Sequence, residues 1–245
     1  MKQGFFTVLD NRPLTSAVYR MTLAGDAGAL TRPGQFVNIR LDGLYLRRPI
    51  SVCDREGDTI TLIYKVVGRG TAAMAALAAG TRLDLLTGLG NGYDTAPSGP
   101  RPLLLGGGVG IPPLFWLAKA LIAEGKAVTA ILGFNTASEI FLAEAFRALG
   151  AETVVTTADG SAGLPGFVTD GMKALEHPYT YFYTCGPLPM LRAVDREAVT
   201  GGQFSFEERM GCGFGACMGC TCQTKTGPKR ICREGPVLKR EEIVW

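Results

Sequence analysis

Five of the seven cysteines in this 245-residue chain fall between positions 212 and 232. Four of them follow one spacing: Cys212, four residues, Cys217, two residues, Cys220, eleven residues, Cys232. A segment this short buries too little apolar surface to hold its own shape, so its thiols are expected to cross-link it through a bound group. The odd count and the tight clustering argue against a disulfide framework. The x4/x2 run is the plant-type spacing of a [2Fe–2S] cluster, with Cys212, Cys217, Cys220 and Cys232 as ligands. Gly211, Gly213, Gly215 and Gly219 let the backbone wrap closely around inorganic sulfur and turn its N–H groups towards an anionic centre. Structural zinc is the competing reading, but zinc sites pair C-x2–4-C units more symmetrically. Cys222 is a fifth thiol, and Cys220 is preferred because it preserves the spacing.

The rest of the chain has material for larger cores. Hydrophobic residues make up 47% and charged residues 19%, a globular balance. The net charge of +3 is weak and scattered, which argues against nucleic acid as a partner. No cleavage-site pattern follows the start, and the longest apolar runs, such as 103–105 and 114–118, fall far short of a membrane span. A soluble, cytoplasmic protein with no membrane partner is expected.

Three textures divide the sequence. Residues 1–97 hold short β-type runs at 5–9, 17–23, 35–40, 50–53, 59–67 and 82–86, separated by turn formers, which suggests a small antiparallel β-barrel. An Ala-rich helix is expected at 71–79, stopped by Gly80. Residues 98–206 open on a Pro/Gly-rich linker and then alternate strands (102–105, 127–132, 153–157, 179–184) with helices (113–123, 138–149, 166–174, 189–199). That alternation implies an α/β domain with a parallel sheet. Residues 207–245 show little periodicity and carry the cysteines.

In the second region the apolar strand Leu103-Leu104-Leu105 runs into Gly106-Gly107-Gly108-Val109-Gly110-Ile111-Pro112-Pro113. Glycines at such a turn let the backbone approach a pyrophosphate, and the helix that follows attracts its charge. Proline fits the first turn of that helix, where its missing N–H costs little. The strict G-x-G-x-x-G pattern is absent, so a tight turn in an ordinary α/β domain stays open on this motif alone.

Taken together, the motifs resemble those of ferredoxin–NADP reductase-like flavoproteins. Gly108, Gly110 and Pro113 match that group's nicotinamide loop. Cys185, Gly186 and Pro187, after the fourth strand, match its second nicotinamide motif. Arg48-Pro49-Ile50-Ser51 resembles its flavin motif, with Ile50 replacing an aromatic residue. The order Leu46-Arg47-Arg48-Pro49-Ile50-Ser51, Gly68-Arg69-Gly70-Thr71, Glu207-Glu208-Arg209-Met210-Gly211-Cys212 and Cys232-Arg233-Glu234-Gly235-Pro236-Val237 narrows the likeness. It resembles the electron-transfer subunits of class 1B, NAD-dependent dihydroorotate dehydrogenases, over essentially the whole chain. Glu234 stands where Asp is expected, and Leu238 where an aromatic residue is expected.

The resemblance implies FAD between barrel and nucleotide domain. Arg48 would pair with the flavin pyrophosphate and Ser51 would lie near the flavin N5 edge. Ile63, Tyr64 and Lys65 would flank the flavin or its ribityl chain, and Gly70-Thr71 would hold phosphate at a helix start. It also implies NAD as the dinucleotide, an FMN-containing catalytic subunit as partner in a heterotetramer of two of each, and an electron relay serving pyrimidine biosynthesis. NAD rather than NADP is further favoured because Gly133-Phe134-Asn135-Thr136-Ala137-Ser138 offers no Lys or Arg to a 2′-phosphate. No acid–base catalytic residue is assigned. His177, the only histidine, reads as a surface loop residue, Ser161 as part of a turn or a nicotinamide-side loop, Cys53 as a core thiol, and Cys185 as ambiguous between strand end and nicotinamide contact. Two alternatives remain at this point. One is a flavin/iron–sulfur subunit of another complex, of the sulfide dehydrogenase, hydrogenase or transhydrogenase type. The other is a zinc-stabilised nucleotide-binding module.

Overall fold

A computed structural model describes residues 1–245. Strands β1 (Lys2–Pro13), β2 (Val18–Ala24), β3 (Phe36–Ile39), β4 (Arg48–Glu56), β5 (Thr59–Lys65) and β6 (Arg82–Leu89) close into an antiparallel barrel in the order β1-β2-β5-β4-β3-β6. Closure follows from the period-2 pattern. Alternate residues, among them Phe6, Met21, Leu23, Val37, Ile39, Val52, Leu62 and Leu85, turn inward and form one core. Helix α1 (Arg69–Ala75) sits between β5 and β6 and is shorter than the expected 71–79. Asn11 is the cause at its end, because its Nδ2 donates to the carbonyls of Met74 at 2.9 Å and Leu77 at 3.0 Å. A side-chain amide that takes those carbonyls stops the helix one turn early.

The second unit contains β7 (Pro102–Gly107), α2 (Pro112–Ala123), β8 (Thr129–Phe134), α3 (Ala143–Ala148), β9 (Glu152–Thr157), β10 (Leu164–Pro165), α4 (Val168–Lys173), β11 (Tyr181–Cys185), α5 (Leu188–Glu197) and β12 (Gly202–Ser205). After it come the hairpin β13 (Thr221–Thr224) and β14 (Gly227–Arg230), then β15 (Val237–Lys239). The large sheet has the order β10-β9-β8-β7-β11-β12-β15. It is parallel from β10 to β12, and β15 joins β12 antiparallel. The cysteine segment is therefore sewn into the nucleotide sheet by a strand the sequence pattern did not announce. The expected helix 138–149 is reduced to α3 because Ile140 is extended and Leu142 takes a left-handed φ of 63°. No helix is long and apolar enough to cross a membrane.

Two faces of the barrel are covered. On one, Val18, Cys53 and Ile63 share a core with Ile111, Leu114 and Leu117 of the nucleotide unit. Lys119 on α2 closes that seam with bonds of 2.8 Å to Asp54 and 3.0 Å to Glu56 on β4. On the other face, Phe36, Leu86 and Leu89 pack with Phe204, Cys220, Ile231, Cys232 and Leu238. Lys119→Met should destabilise the protein by about 1.5–3 kcal/mol, the usual worth of a hydrogen bond to a charged group, with Asp54 carrying most of it because Glu56 is exposed. Denaturation midpoints of the cofactor-loaded protein check this, and an unchanged midpoint would show the seam is held by apolar packing alone.

Candidate functional site

Strand β4 begins at the flavin-type motif, packs on α2, and is hydrogen-bonded to β3, whose Phe36 meets the cysteine segment. Arg48 pairs with Ile39, Pro49 with Asn38, and Ser51 with Phe36 on β3. Arg48 and Gly70, 22 residues apart in sequence, are brought together. A Cβ built on Gly70 would lie 1.9 Å from Arg48 Nε and 2.8 Å from its Cδ. Glycine leaves room for this guanidinium to cross the first turn of α1, where N–H groups lack helical partners. Thr71 Oγ1 accepts from the N–H groups of Val67 at 2.9 Å and Gly68 at 3.3 Å. Guanidinium, helix start and capped turn form a cradle suited to a pyrophosphate. Arg47 goes elsewhere, to a bidentate bond with Asp84 across the barrel end.

Residues 63–65 alternate as a strand must. Ile63 faces the nucleotide unit, Tyr64 faces the barrel core, and Lys65 is exposed. The Tyr64 hydroxyl donates to Asn11 Oδ1 at 3.0 Å, and burial pushes its pKa up to about 12. Any flavin contact from Tyr64 is thus a backbone contact.

The two nicotinamide-type motifs lie back to back. β7 and β11 are adjacent and parallel, with Cys185 opposite Gly106. A Cβ on Gly110 would sit 2.2 Å from the Cys185 carbonyl oxygen and 2.7 Å from Gly186 Cα. Met190 lies under both strands' ends, since Cβ atoms on Gly107 and Gly186 would meet its sulfur or methyl at 2.5 and 2.6 Å. Pro112 and Pro113 are buried at the start of α2. The result is a glycine-rich floor, backed by Met190, at the carboxyl ends of adjacent parallel strands, the position where open α/β sheets receive dinucleotides. Cys185 is partly accessible, and burial pushes its thiol pKa up to about 12 against the lowering effect of Ser205 beside it. It is a neutral thiol at the edge of this floor. Beside the loop after β8, Glu139 accepts from Asn135 Nδ2 at 2.9 Å, and Asp159 accepts from Ser161 Oγ at 2.6 Å. These carboxylates, with no basic side chain in 133–138, suit a free ribose hydroxyl better than a phosphate.

The four cysteines stand as two pairs, and no three metal-binding side chains converge on one point. In the first pair, Cys212 Sγ accepts from the N–H groups of Ala216 (3.2 Å), Cys217 (3.4 Å) and Phe214 (3.5 Å), while Cys212 N–H donates to Cys217 Sγ at 3.4 Å. In the second, Cys232 N–H donates to Cys220 Sγ at 3.4 Å. Two thiolates per iron is what a two-iron cluster requires, whereas zinc needs four donors around one ion. Burial opposes ionisation of Cys212, yet the N–H donors win and bring its pKa down to about 6. Burial, and then Cys220, push Cys232 up to about 12, so a bound metal must displace that proton. Cys222 lies apart on β13, opposite Lys229, half-buried against the core that holds Cys220 and Cys232.

Several supports were not legible as site residues. Arg230 donates to the Gly215 carbonyl at 2.7 Å and to Glu234 Oε2 at 2.9 Å, bracing the cysteine loop. Its hydrogen bond is the chief reason Glu234 titrates at about 2. Asn91 donates to the carbonyls of Glu234 (3.0 Å) and Val237 (2.7 Å) and accepts from Val237 N–H. Asn38 Nδ2 donates to the Cys212 carbonyl at 3.1 Å. The only signal for these in the sequence is a lone amide within or beside an apolar run. His177 is exposed in a loop, and Ser161 ties the turns after β8 and β9 by accepting from Ala137 N–H at 2.7 Å.

Residues 207–244 match the family model of the iron–sulfur cluster binding domain of dihydroorotate dehydrogenase B, and residues 104–196 match the oxidoreductase NAD-binding domain. The chain is 40% identical over 256 aligned residues to a Shouchella clausii protein, the electron transfer subunit of dihydroorotate dehydrogenase B (NAD(+)). That alignment covers 99% of this chain and 98% of the relative. Among solved structures, the NADH-dependent reduced ferredoxin–NADP oxidoreductase studied for flavin-based electron bifurcation superposes with a TM-score of 0.89 at 30% identity, over 99% of this chain and 90% of that one. A ferredoxin NADP+ reductase from Neisseria gonorrhoeae, solved with FAD and NADP, shares the fold at 19% identity with a TM-score of 0.70, over 80% of this chain and 90% of that one.

Proposed function

We infer the function from one premise: this chain belongs to the family of electron-transfer subunits of dihydroorotate dehydrogenase B (NAD(+)). It is an oxidoreductase subunit that relays electrons from the FMN-containing catalytic subunit by way of a [2Fe–2S] cluster and FAD to NAD+, in pyrimidine biosynthesis. When bound, the flavin exchanges electron pairs with nicotinamide and single electrons with the cluster, chemistry that belongs to the cofactors. One observation carries the reading. The barrel that carries Arg48-Pro49-Ile50-Ser51 packs its β4 against α2, the helix after the Gly108–Gly110 turn, and packs β3, the hydrogen-bonded neighbour of that motif, together with β6 against the cysteine segment.

The residues divide the work. Arg48, Gly70 and Thr71 would hold the flavin pyrophosphate, with Pro49, Ile50 and Ser51 along the ring edge and Ile63, Tyr64 and Lys65 contributing backbone. Gly108, Gly110 and Pro113 with Cys185, Gly186 and Pro187 would seat nicotinamide and its pyrophosphate. Cys212 and Cys217 would hold one iron, Cys220 and Cys232 the other. By this assignment the FAD part is 1–97, the NAD part 98–206 and the cluster part 207–245. No side chain need accept a proton from dihydroorotate, because that chemistry belongs to the partner. The working assembly is two of each subunit, in the cytoplasm. The 40% identity along the full length to a dihydroorotate dehydrogenase B subunit favours this partner over a transhydrogenase-type one.

Co-purification with the catalytic subunit tests the reading. The complex should reduce NAD+ with dihydroorotate and the isolated chain should not. The chain should be brown-orange, and a colourless protein with stoichiometric zinc would end this reading in favour of a zinc module.

A further inference from the structure

We propose that Asn38 is a positioning residue. It fixes the cysteine loop against the flavin-motif strand and so sets how fast an electron crosses between flavin and cluster. The inference rests on the cofactor assignment above and goes beyond it, since Asn38 belongs to none of the motifs.

Asn38 sits in the middle of β3, in the run Phe36-Val37-Asn38-Ile39, all of it buried. It is 1% exposed. Its strand partner is Pro49, inside the flavin motif. Its Nδ2 donates to the backbone carbonyl of Cys212, a cluster ligand 174 residues away. The contact is close on both sides. A Cβ on Gly213 would lie 2.4 Å from Nδ2, and Gly213 holds a φ of +78°. The loop therefore presses its barest residue onto this amide. Asn38 Oδ1 has no hydrogen-bond partner within the chain, so the side chain's one bond to the protein is the one to Cys212. What the amide achieves at this position is the single bond to the ligand loop.

Two effects follow. The bond fixes the spacing between the β3–β4 strands and the Cys212 side of the cysteine loop, and electron-transfer rates fall steeply with distance. It also withdraws electron density from the Cys212–Gly213 peptide, next to a ligand sulfur, and such outer partners tune a metal centre. Both act through position and polarity, so Asn38 touches neither the transferred hydride nor a reacting atom.

The test uses the complex with its catalytic partner and two variants. Asn38→Leu keeps the shape and removes the amide, and Asn38→Asp keeps size and polarity but removes the donor. Iron and flavin content should match the parent, and NADH-driven dye reduction at the flavin should be unchanged. Rapid-freeze EPR after mixing with NADH should show cluster reduction slowed about tenfold or more in both, the scale of lost outer-shell partners. The line shape of the reduced cluster should also be altered. Parent-like rates and line shapes in both variants would overturn the proposal. Loss of iron from both would overturn it as well, making Asn38 a support for cluster assembly. If the parent itself holds no iron, or shows no NADH-driven cluster reduction, it is the family-based cofactor reading that has failed.

Discussion

Replacing Cys217 by alanine should strip the iron from this protein and leave its FAD in place. Cys217 is the exposed member of the first thiol pair, so the substitution removes a proposed ligand without opening a cavity in the core. It also removes the sulfur that accepts from Cys212 N–H. A two-iron cluster with three protein ligands is not held by this loop, because Cys212 is left as the only thiol of the first pair. Arg48, Gly70 and Thr71 belong to the barrel and its helix, and the barrel has its own core, so flavin content should stay near one per chain. NADH should still reduce dyes through the flavin, while NAD+ reduction by dihydroorotate in the complex should fall by at least about 100-fold, the upper range for losing groups around a metal centre. Iron analysis, flavin absorbance and the two assays separate these outcomes. Iron content equal to the parent's would show the ligand assignment to be wrong.

The reverse pattern is expected of Gly110→Ala. The added methyl would be 2.2 Å from the Cys185 carbonyl oxygen and 2.5 Å from its carbon. Backbone cannot swing aside as a side chain can, so the Gly108–Gly110 turn and the Cys185–Pro187 turn must separate. Overpacking of this kind costs about 1–3 kcal/mol of stability. The larger loss is in geometry, since a displacement near 1 Å can cost about 100-fold in rate. NADH-driven dye reduction should therefore fall by about 100-fold or more with iron and FAD retained. Steady-state kinetics with NADH, beside cofactor analysis, check it. A variant with parent-like NADH kinetics would remove Gly110 from the nicotinamide floor.

What the sequence disclosed, it disclosed through short-range regularities. The alternating runs of the barrel, the strand–helix alternation after residue 98 and the cysteine spacing are local patterns, and the elements they announce are present. The misses share a different cause. Strand β12 is four residues beginning with glycine, and β15 is three residues whose partner lies more than thirty positions earlier. Pairing at that range is decided by tertiary packing, which local propensity does not encode. The hairpin β13–β14 is largely polar and half-exposed, so it carries no hydrophobic signal. Helix α3 was overextended because apolar spacing at 140–142 fits a helix, while Leu142 adopts a left-handed φ. In the candidate site, glycine and cysteine motifs were readable because their chemistry demands those residue types. Asn38, Asn91 and Arg230 were not, because an amide or guanidinium does many jobs and only the folded chain shows which carbonyl it meets.

Strand β15 has one more consequence. A parallel sheet that stopped at β12 would present a bare row of backbone donors and acceptors along Gln203, Phe204 and Ser205 to any other extended chain, the usual seed of aggregation. Val237–Lys239 occupies that row, and Arg240 anchors it by bonding Asp195 at 2.8 Å and the Thr200 carbonyl at 2.7 Å. The cysteine-rich segment is thus also the selvedge of the nucleotide sheet, and it shields the chain from unwanted partners on one edge while holding its metal on another.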